Sequence, residues 1–175
     1  MPTKDRLNII QEIDNLSDEI NKILDEKLAE RYFEGIVLLY SFIEDILRWL
    51  VFAQIIWNKS SKRETRSANE IDQVRVFCNQ SNLFTLLRLA LSVDLLDYQL
   101  YEKLTRIREE RNSLIHQYWI YTHKGKRLIF RKKLERLATT ANELVGKSNR
   151  LVRETGADDS YGIFQVSRSR SFVSL

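Results

Sequence analysis

The sequence predicts an all-α protein, a bundle of about five helices, and three observations carry that prediction. Five glycines and one proline occur in 175 residues, and the proline is Pro2. Gly and Pro interrupt regular structure, so their scarcity favours long helices over short strands joined by tight turns. Apolar residues recur at threes and fours along most of the chain, the spacing that gathers them on one helix face. Hydrophobic residues make up 43% and charged residues 30%, the balance of a globular chain of one-domain length rather than a disordered one.

Each element follows from its own pattern. Leu7, Ile10, Ile13, Leu16, Ile20, Ile23 and Leu28 form a narrow apolar stripe on an otherwise polar first helix. A second helix is expected from about Arg31 to Trp57, apolar on most sides and therefore central. Residues 58–69, NKSSKRETRSAN, have no apolar period and read as a basic, exposed loop. Asn69 is placed to cap a shorter helix running through Cys78, and Ser81 or Asn82 to cap the next, with Leu83, Leu86, Leu87, Ala90 and Leu91. A long helix follows from about Tyr98 to Tyr121, striped by Leu100, Leu104, Ile107, Leu114 and Ile115. HKGK at 123–126 reads as a turn. The last helix, from about Leu128 to Arg153, turns Leu134, Leu137, Leu144, Val145 and Leu151 inward. The helical domain is thus placed at 1–155. Residues 156–175 lose the helical period and read as a mobile tail or a strand-like arm.

Composition narrows the setting. Cys78 is the only cysteine, so no internal disulfide forms, which suits a reducing compartment. No basic, apolar leader opens the chain, so the expected location is the cytoplasm. The most apolar stretch, Ile36 to Trp57, carries Glu44, Asp45 and Arg48 near its middle. Charges there are costly in lipid, so a buried bundle helix is expected and no membrane. The net charge of +4 is unevenly spread: Lys124–Arg153 holds ten basic and two acidic residues, Asp5–Glu34 nine acidic and four basic. The two ends can attract each other, or the basic face can meet a phosphate backbone, though most such side chains simply line a solvated face.

One stretch carries chemistry. RNSLIHQY, residues 111–118, brings Arg111, Asn112, His116 and Tyr118 onto the long helix. With about 100° per residue, Asn112 and His116 share a face, while Arg111 and His116 diverge by about 140°. Arginine is long enough to reach a phosphate that His116 also touches, and a second copy across a dimer axis also completes the cluster. Histidine exchanges protons near neutral pH, arginine grips phosphate and stays charged, and asparagine orients an imidazole or a ligand oxygen. In RNA the 2′-hydroxyl is the internal nucleophile, so these groups suffice to move a phosphodiester bond. No Asp/Glu/His cluster has metal-ligand spacing, so neither a metal nor another cofactor is expected.

Arg111, Asn112 and His116 match the signature of the HEPN superfamily, an arginine often followed by asparagine, then a histidine after four to six residues. The chain resembles that superfamily from roughly Asp5 to Arg153 by helix order and motif. The resemblance implies a dimeric all-α bundle whose two motifs meet at a cleft between protomers. Many similar members are metal-independent endoribonucleases, acting as toxins of toxin–antitoxin systems, in phage defence or in RNA processing. Arg111, His116 and Tyr118 also resemble the narrower pattern of toxins paired with a minimal nucleotidyltransferase antitoxin. In that group the tyrosine is modified with AMP, which makes Tyr118 a modification candidate.

The expected function is therefore a HEPN-type endoribonuclease, with His116 as acid/base, Arg111 as phosphate clamp and Asn112 as positioner. RNA is the expected partner, beside a second copy and a nucleotidyltransferase-type antitoxin. The alternatives are a non-catalytic HEPN-like module that binds RNA or a protein, and a purely structural dimer. In the blandest reading His116 is a hydrogen-bonded core residue. His123 reads as an exposed turn residue, and Tyr118 and Trp119 as packing residues. Glu44 needs a partner inside an apolar helix: either Arg48, four residues on, or Arg111, which it would then orient. Cys78 reads as structural, and Phe33, Tyr40, Phe42 and Trp49 as core rather than as a base-stacking platform.

Overall fold

The structure is a computed structural model. It describes residues 15, 16, 18–25, 31–60, 67–123 and 127–155, with the side chains of all but 57–60, 115–123, 127, 128, 149 and 152–155. The expected tail at 156–175 lies outside these residues, as do Leu7, Ile10, Ile13 and Leu28 of the first stripe.

Every regular element among the described residues is α-helical. After α1 (residues 18–25) come α2 (Tyr32–Ser60), α3 (Ala68–Gln80), α4 (Leu83–Ser92), α5 (Tyr98–His123) and α6 (Arg127–Thr155). These are the six segments that the sequence pattern marks out one by one, against the round total of about five. The backbone turns extended at Ser81 (φ −73°, ψ 135°), which separates α3 from α4 although only Ser81 and Asn82 lie between them. None of the helices, over the described residues, is long and apolar enough to cross a membrane.

The helix ends follow local chemistry and correct three expectations. Ser67, not Asn69, caps α3. Its hydroxyl accepts from the Glu70 N–H, while its own N–H donates to the Glu70 carboxylate at 2.8 Å. A Ser followed three residues later by Glu satisfies two orphan donors at once, which a lone Asn cannot match. The loop expected at 58–69 is shorter, because Asn58–Ser60 and Ala68–Asn69 are helical; residues 61–66 lie outside the description. His123 belongs to α5 rather than to a turn. Asn82 caps α4 through Oδ1, which accepts from the Thr85 N–H at 3.0 Å, and Ser81 closes α3 by donating its hydroxyl to Phe77 O. Asp97 caps α5, its carboxylate accepting from the Leu100 N–H at 2.8 Å. Before it, Asp94 adopts a left-handed φ of 57°, which lets the Leu95 N–H reach back to Ala90 O at 2.9 Å and close α4.

The chain divides into two compact units, one of Met1–Ile43 with Glu110–Leu175 and one of Glu44–Glu109. The first unit buries Ile20 and Ile23 of α1, Ile36, Leu39 and Ile43 of α2, Leu114 of α5, and Leu134, Leu137, Ala141, Leu144, Val145 and Leu151 of α6. The α6 positions repeat at threes and fours, as the sequence predicts. Phe33 meets Phe130 edge to face at 6.1 Å. The second unit buries Leu47, Leu50 and Val51 of α2, Cys78 of α3, Leu83, Leu86, Leu87 and Ala90 of α4, and Leu100, Leu104 and Ile107 of α5. Burial pushes the Cys78 thiol up, so it stays protonated and inert, in keeping with a structural role.

At Gly35 the α2 backbone lies close to its neighbours. A Cβ there would stand 3.0 and 3.2 Å from the two methyls of Leu134 and 3.4 Å from Ile20 Cδ1. Leu134 and Ile20 are both fully enclosed, so they have no solvent to retreat into. Gly146, mid-way along α6, is exposed and meets nothing within 4 Å.

The two glycines should therefore respond oppositely to alanine. Gly146→Ala should gain about 0.5–1 kcal/mol through helix propensity. At Gly35 the same gain should be outweighed by overpacking, which costs about 1–3 kcal/mol. Chemical unfolding of both variants checks this; a stabilised Gly35→Ala would show that α2 and α6 do not pack so closely.

Candidate functional site

The RNSLIHQY stretch lies within α5, with Arg111, Asn112, His116 and Tyr118 all on helical backbone. The side chains of His116 and Tyr118 lie outside the described part, so the expectations placed on them are neither met nor refused. Arg111 is half-buried, Asn112 and Ser113 are exposed, and Leu114 is buried. This alternation follows from the helical turn, since Leu114 continues the stripe of Ile107 and Leu104 while Asn112 faces away from it.

Arg111 borders a pocket of about 50 Å³ in the first unit, together with Leu114 of α5 and Phe33, Ile36, Val37, Tyr40 and Ser41 of α2. The lining residues are mostly apolar, and Tyr40, Ser41 and Arg111 are those that carry polar groups. Tyr40 is 4% exposed, and its hydroxyl has no hydrogen-bond partner among the described residues. Burial raises the Tyr40 phenol above the ordinary tyrosine range; the Glu110 charge adds to the rise, while Arg136 and Arg111 oppose it. The phenol is therefore neutral and able to donate at any physiological pH.

Glu110 anchors the α5 side of this neighbourhood. Its carboxylate accepts a charge-assisted hydrogen bond from Arg136 of α6 and lies 3.9 Å from Lys133 Nζ. Arg131 is paired with Glu135 at 2.9 Å. Part of the basic charge of the last helix is thus occupied within the fold, by α5 and by α6 itself. The acidic first helix contributes instead through Glu19, which pairs with Arg31; Arg31 also meets Glu34 at 2.9 Å.

Glu44 belongs to the second unit, and its carboxylate takes Arg48 Nη2 at 2.5 Å, the i,i+4 partner the sequence suggests. Arg48 also holds Asp45 at 2.6 Å. Of the aromatic set, Tyr40 and Phe42 are core residues, while Phe33 and Trp49 are only half-buried.

Sequence reasoning missed three features. Tyr40 reads as one more core aromatic, because a sequence does not show whether a hydroxyl will find a partner. Glu110 and Arg136 lie 26 residues apart, with no pattern linking them. The third is Phe84 in the second unit, an exposed ring with the Arg108 guanidinium 4.8 Å and the Arg88 guanidinium 5.5 Å from its centre. The Phe84–Arg88 spacing of four was a visible signal. No group of three or more His, Cys, Asp or Glu that could hold a metal occurs among the described residues.

Comparison with protein-family models, with curated protein sequences and with solved structures returns no match to this chain.

The buried phenol makes a prediction about alkaline stability. Below about pH 10 Tyr40 is neutral whether the chain is folded or not. Above it the unfolded phenol ionises and the folded one resists, so the unfolded state binds fewer protons and stability falls as pH rises. Thermal unfolding from pH 8 to 11 should show a shallower fall in Tyr40→Phe than in the unaltered chain. Parallel curves would place Tyr40 in a wetter environment than described.

Proposed function

We propose that this chain is a metal-independent endoribonuclease of HEPN type, acting as a homodimer, and the toxin of a toxin–antitoxin or phage-defence system. The observation that supports this most is the position of Arg111. The arginine of the RNSLIHQY motif is half-buried at the edge of a pocket and stands on the helix whose backbone also carries Asn112 and His116. A guanidinium so placed is partly desolvated, which strengthens its attraction for a phosphodiester. The all-helical architecture is in keeping with the same reading.

In the proposed reaction His116 takes the proton of the RNA 2′-hydroxyl. The 2′-oxygen bonds to phosphorus, the bond from phosphorus to the 5′-oxygen breaks, and the leaving oxygen takes a proton from the second imidazole of the dimer. Arg111 stabilises the charge that builds on the phosphoryl oxygens. Asn112, exposed beside Arg111, positions the imidazole or the ribose. Tyr118 is the acceptor through which a nucleotidyltransferase-type antitoxin would silence the enzyme.

A second reading is a non-catalytic RNA-binding module. Phe84 between Arg88 and Arg108 favours it, because a ring flanked by cations stacks a base and holds phosphates with no need for a histidine.

The two readings separate in an RNA-cleavage assay run in a chelator beside thermal unfolding. His116→Ala and Arg111→Ala should each lose at least about 100-fold in rate, with His116→Ala within about 0.5 kcal/mol of unaltered stability. Leu114→Ala, at a buried position, should lose about 2–5 kcal/mol and retain the cleavage rate per folded molecule. Light scattering on the same samples should give twice 20.8 kDa. Cleavage that falls only in step with unfolded protein, or a chain that stays monomeric, would contradict the proposal.

A further inference from the structure

We infer that Phe84, Arg88 and Arg108 hold one unpaired nucleotide of a single strand, with the Phe84 ring stacking its base and the Arg88 guanidinium taking its phosphate. The inference deepens the reading of this chain as a protein that acts on RNA, and rests on it for the class of partner. It uses none of the RNSLIHQY residues and holds whether or not the chain cleaves. The argument begins with exposure. Phe84 stands in the first turn of α4 and keeps 42% of its surface in water with both arginines in place. Arg88, one turn on, is exposed as well, its guanidinium 5.5 Å from the ring centre. Arg108 reaches the same ring from α5, at 4.8 Å, with 28% of its side chain open. A single ring–cation pair at i,i+4 is an ordinary helix contact. A second guanidinium drawn to the same ring adds a like charge, which the first opposes. Arg75 and Phe52 show the purely structural form of this contact: that ring is buried, and Arg75 also faces Asp72 at 3.6 Å.

The charges around the ring are the second observation. Within the same unit Arg48 faces Glu44 and Asp45, Arg75 faces Asp72, and Arg106 faces Glu102. Among the described residues Arg88 faces no carboxylate, and its contact is the ring. Arg108 meets its neighbour Glu109 only at 4.0 Å, and its Nε is enclosed. Its part is to steady the ring and add charge, while Arg88 is the open group that takes the anion. A ring beside an open guanidinium suits a partner that carries a flat π-face and an anion on one unit, which a nucleotide does. An acidic peptide brings the charge without the face, and a duplex keeps its bases closed in the stack. Ring stacking and an ionic contact use neither the 2′-hydroxyl nor the base edges, so this contact should take DNA and RNA single strands alike.

The test uses the full chain with 4-fluorophenylalanine in place of phenylalanine, the Phe84 fluorine signal being identified by its loss in Phe84→Leu. The probe is a single-stranded DNA of about ten nucleotides, which lacks the 2′-hydroxyl and so survives the proposed cleavage. The intact strand should shift the Phe84 signal to saturation. The same strand without bases, and its duplex, should need far higher concentrations. By fluorescence anisotropy Phe84→Leu should bind about 5–100-fold more weakly. Arg88→Gln, at an exposed position where the fold is not at stake, should lower the slope of log affinity against log salt by about 0.7. An unmoved Phe84 signal overturns the inference. So does a base-free strand or a glutamate oligomer that shifts it as readily as the intact strand, since the cluster is then a plain anion patch. Cleavage of RNA by a chain whose Phe84 signal does not move overturns the inference and leaves the nuclease reading standing. A saturable Phe84 shift in a chain that cuts no RNA supports the nucleotide contact and removes the nuclease reading.

Discussion

The burial of α2 is the constraint on which the other helices depend. Tyr32, Ile36, Leu39, Tyr40, Ile43, Ile46, Leu47, Leu50 and Val51 recur at threes and fours, and Phe42, Phe52 and Ala53 widen the buried face further. Such a helix cannot stand in water. Each fully buried Leu or Ile stabilises the fold by about 1.5–3 kcal/mol only if neighbours cover it. The cover comes separately in each unit: α1, the end of α5 and α6 in the first, and α3, α4 and the start of α5 in the second. At Gly35 the absence of a side chain lets Leu134 and Ile20 come within contact distance of the α2 backbone. The core of the first unit thus begins one turn from Tyr32 and runs to the edge of the Arg111 pocket.

Against that apolar background the polar exceptions stand out. Glu44 is answered within its own helix by Arg48, and Glu110 is answered across helices by Arg136 and Lys133. Both are paired charges at partly exposed positions, where the dielectric cost is moderate. The Tyr40 hydroxyl is a different case, being enclosed and unanswered among the described residues. The Tyr40 side chain lines the same pocket as Arg111, while its hydroxyl oxygen is closed to water. Among the described residues this unpaired hydroxyl lies in the same unit as the residue to which sequence reasoning assigns the chemistry.

How much of this was legible depends on the range of the interactions involved. The helices were legible because their signal is local: the stripes of α4, α5 and α6 appear at the buried positions named from periodicity, including Leu104, Leu114 and Leu144. The α3 cap was misplaced on Asn69 because the Ser67–Glu70 box reads only when two positions are taken together. The loop at 58–69 was drawn too long because polar residues can extend a helix by a turn once it is nucleated, as Asn58–Ser60 do. The Arg48 partner of Glu44 is legible from the i,i+4 rule, and Arg111 is singled out by residue type and spacing. The role of Tyr40 was not legible, since a missing partner is a property of three-dimensional packing, and neither was the Glu110–Arg136 pair, which depends on how α5 and α6 meet. His116 and Tyr118, whose side chains lie outside the described part, are still supported by the sequence motif alone.

The central claim is that Arg111 and His116 cleave RNA by attack of its own 2′-hydroxyl, and the chemistry of the product ends tests it most directly. Mass spectrometry of fragments from a single-stranded RNA, cut by the purified chain in a chelator, should find a 2′,3′-cyclic phosphate on one fragment and a 5′-hydroxyl on the next. The same RNA carrying a 2′-O-methyl group at the cleaved nucleotide should stay intact. Fragments with a 5′-phosphate, or cutting of the methylated RNA, would mean that water rather than the 2′-oxygen attacks phosphorus, and the account built on Arg111 and His116 would be wrong.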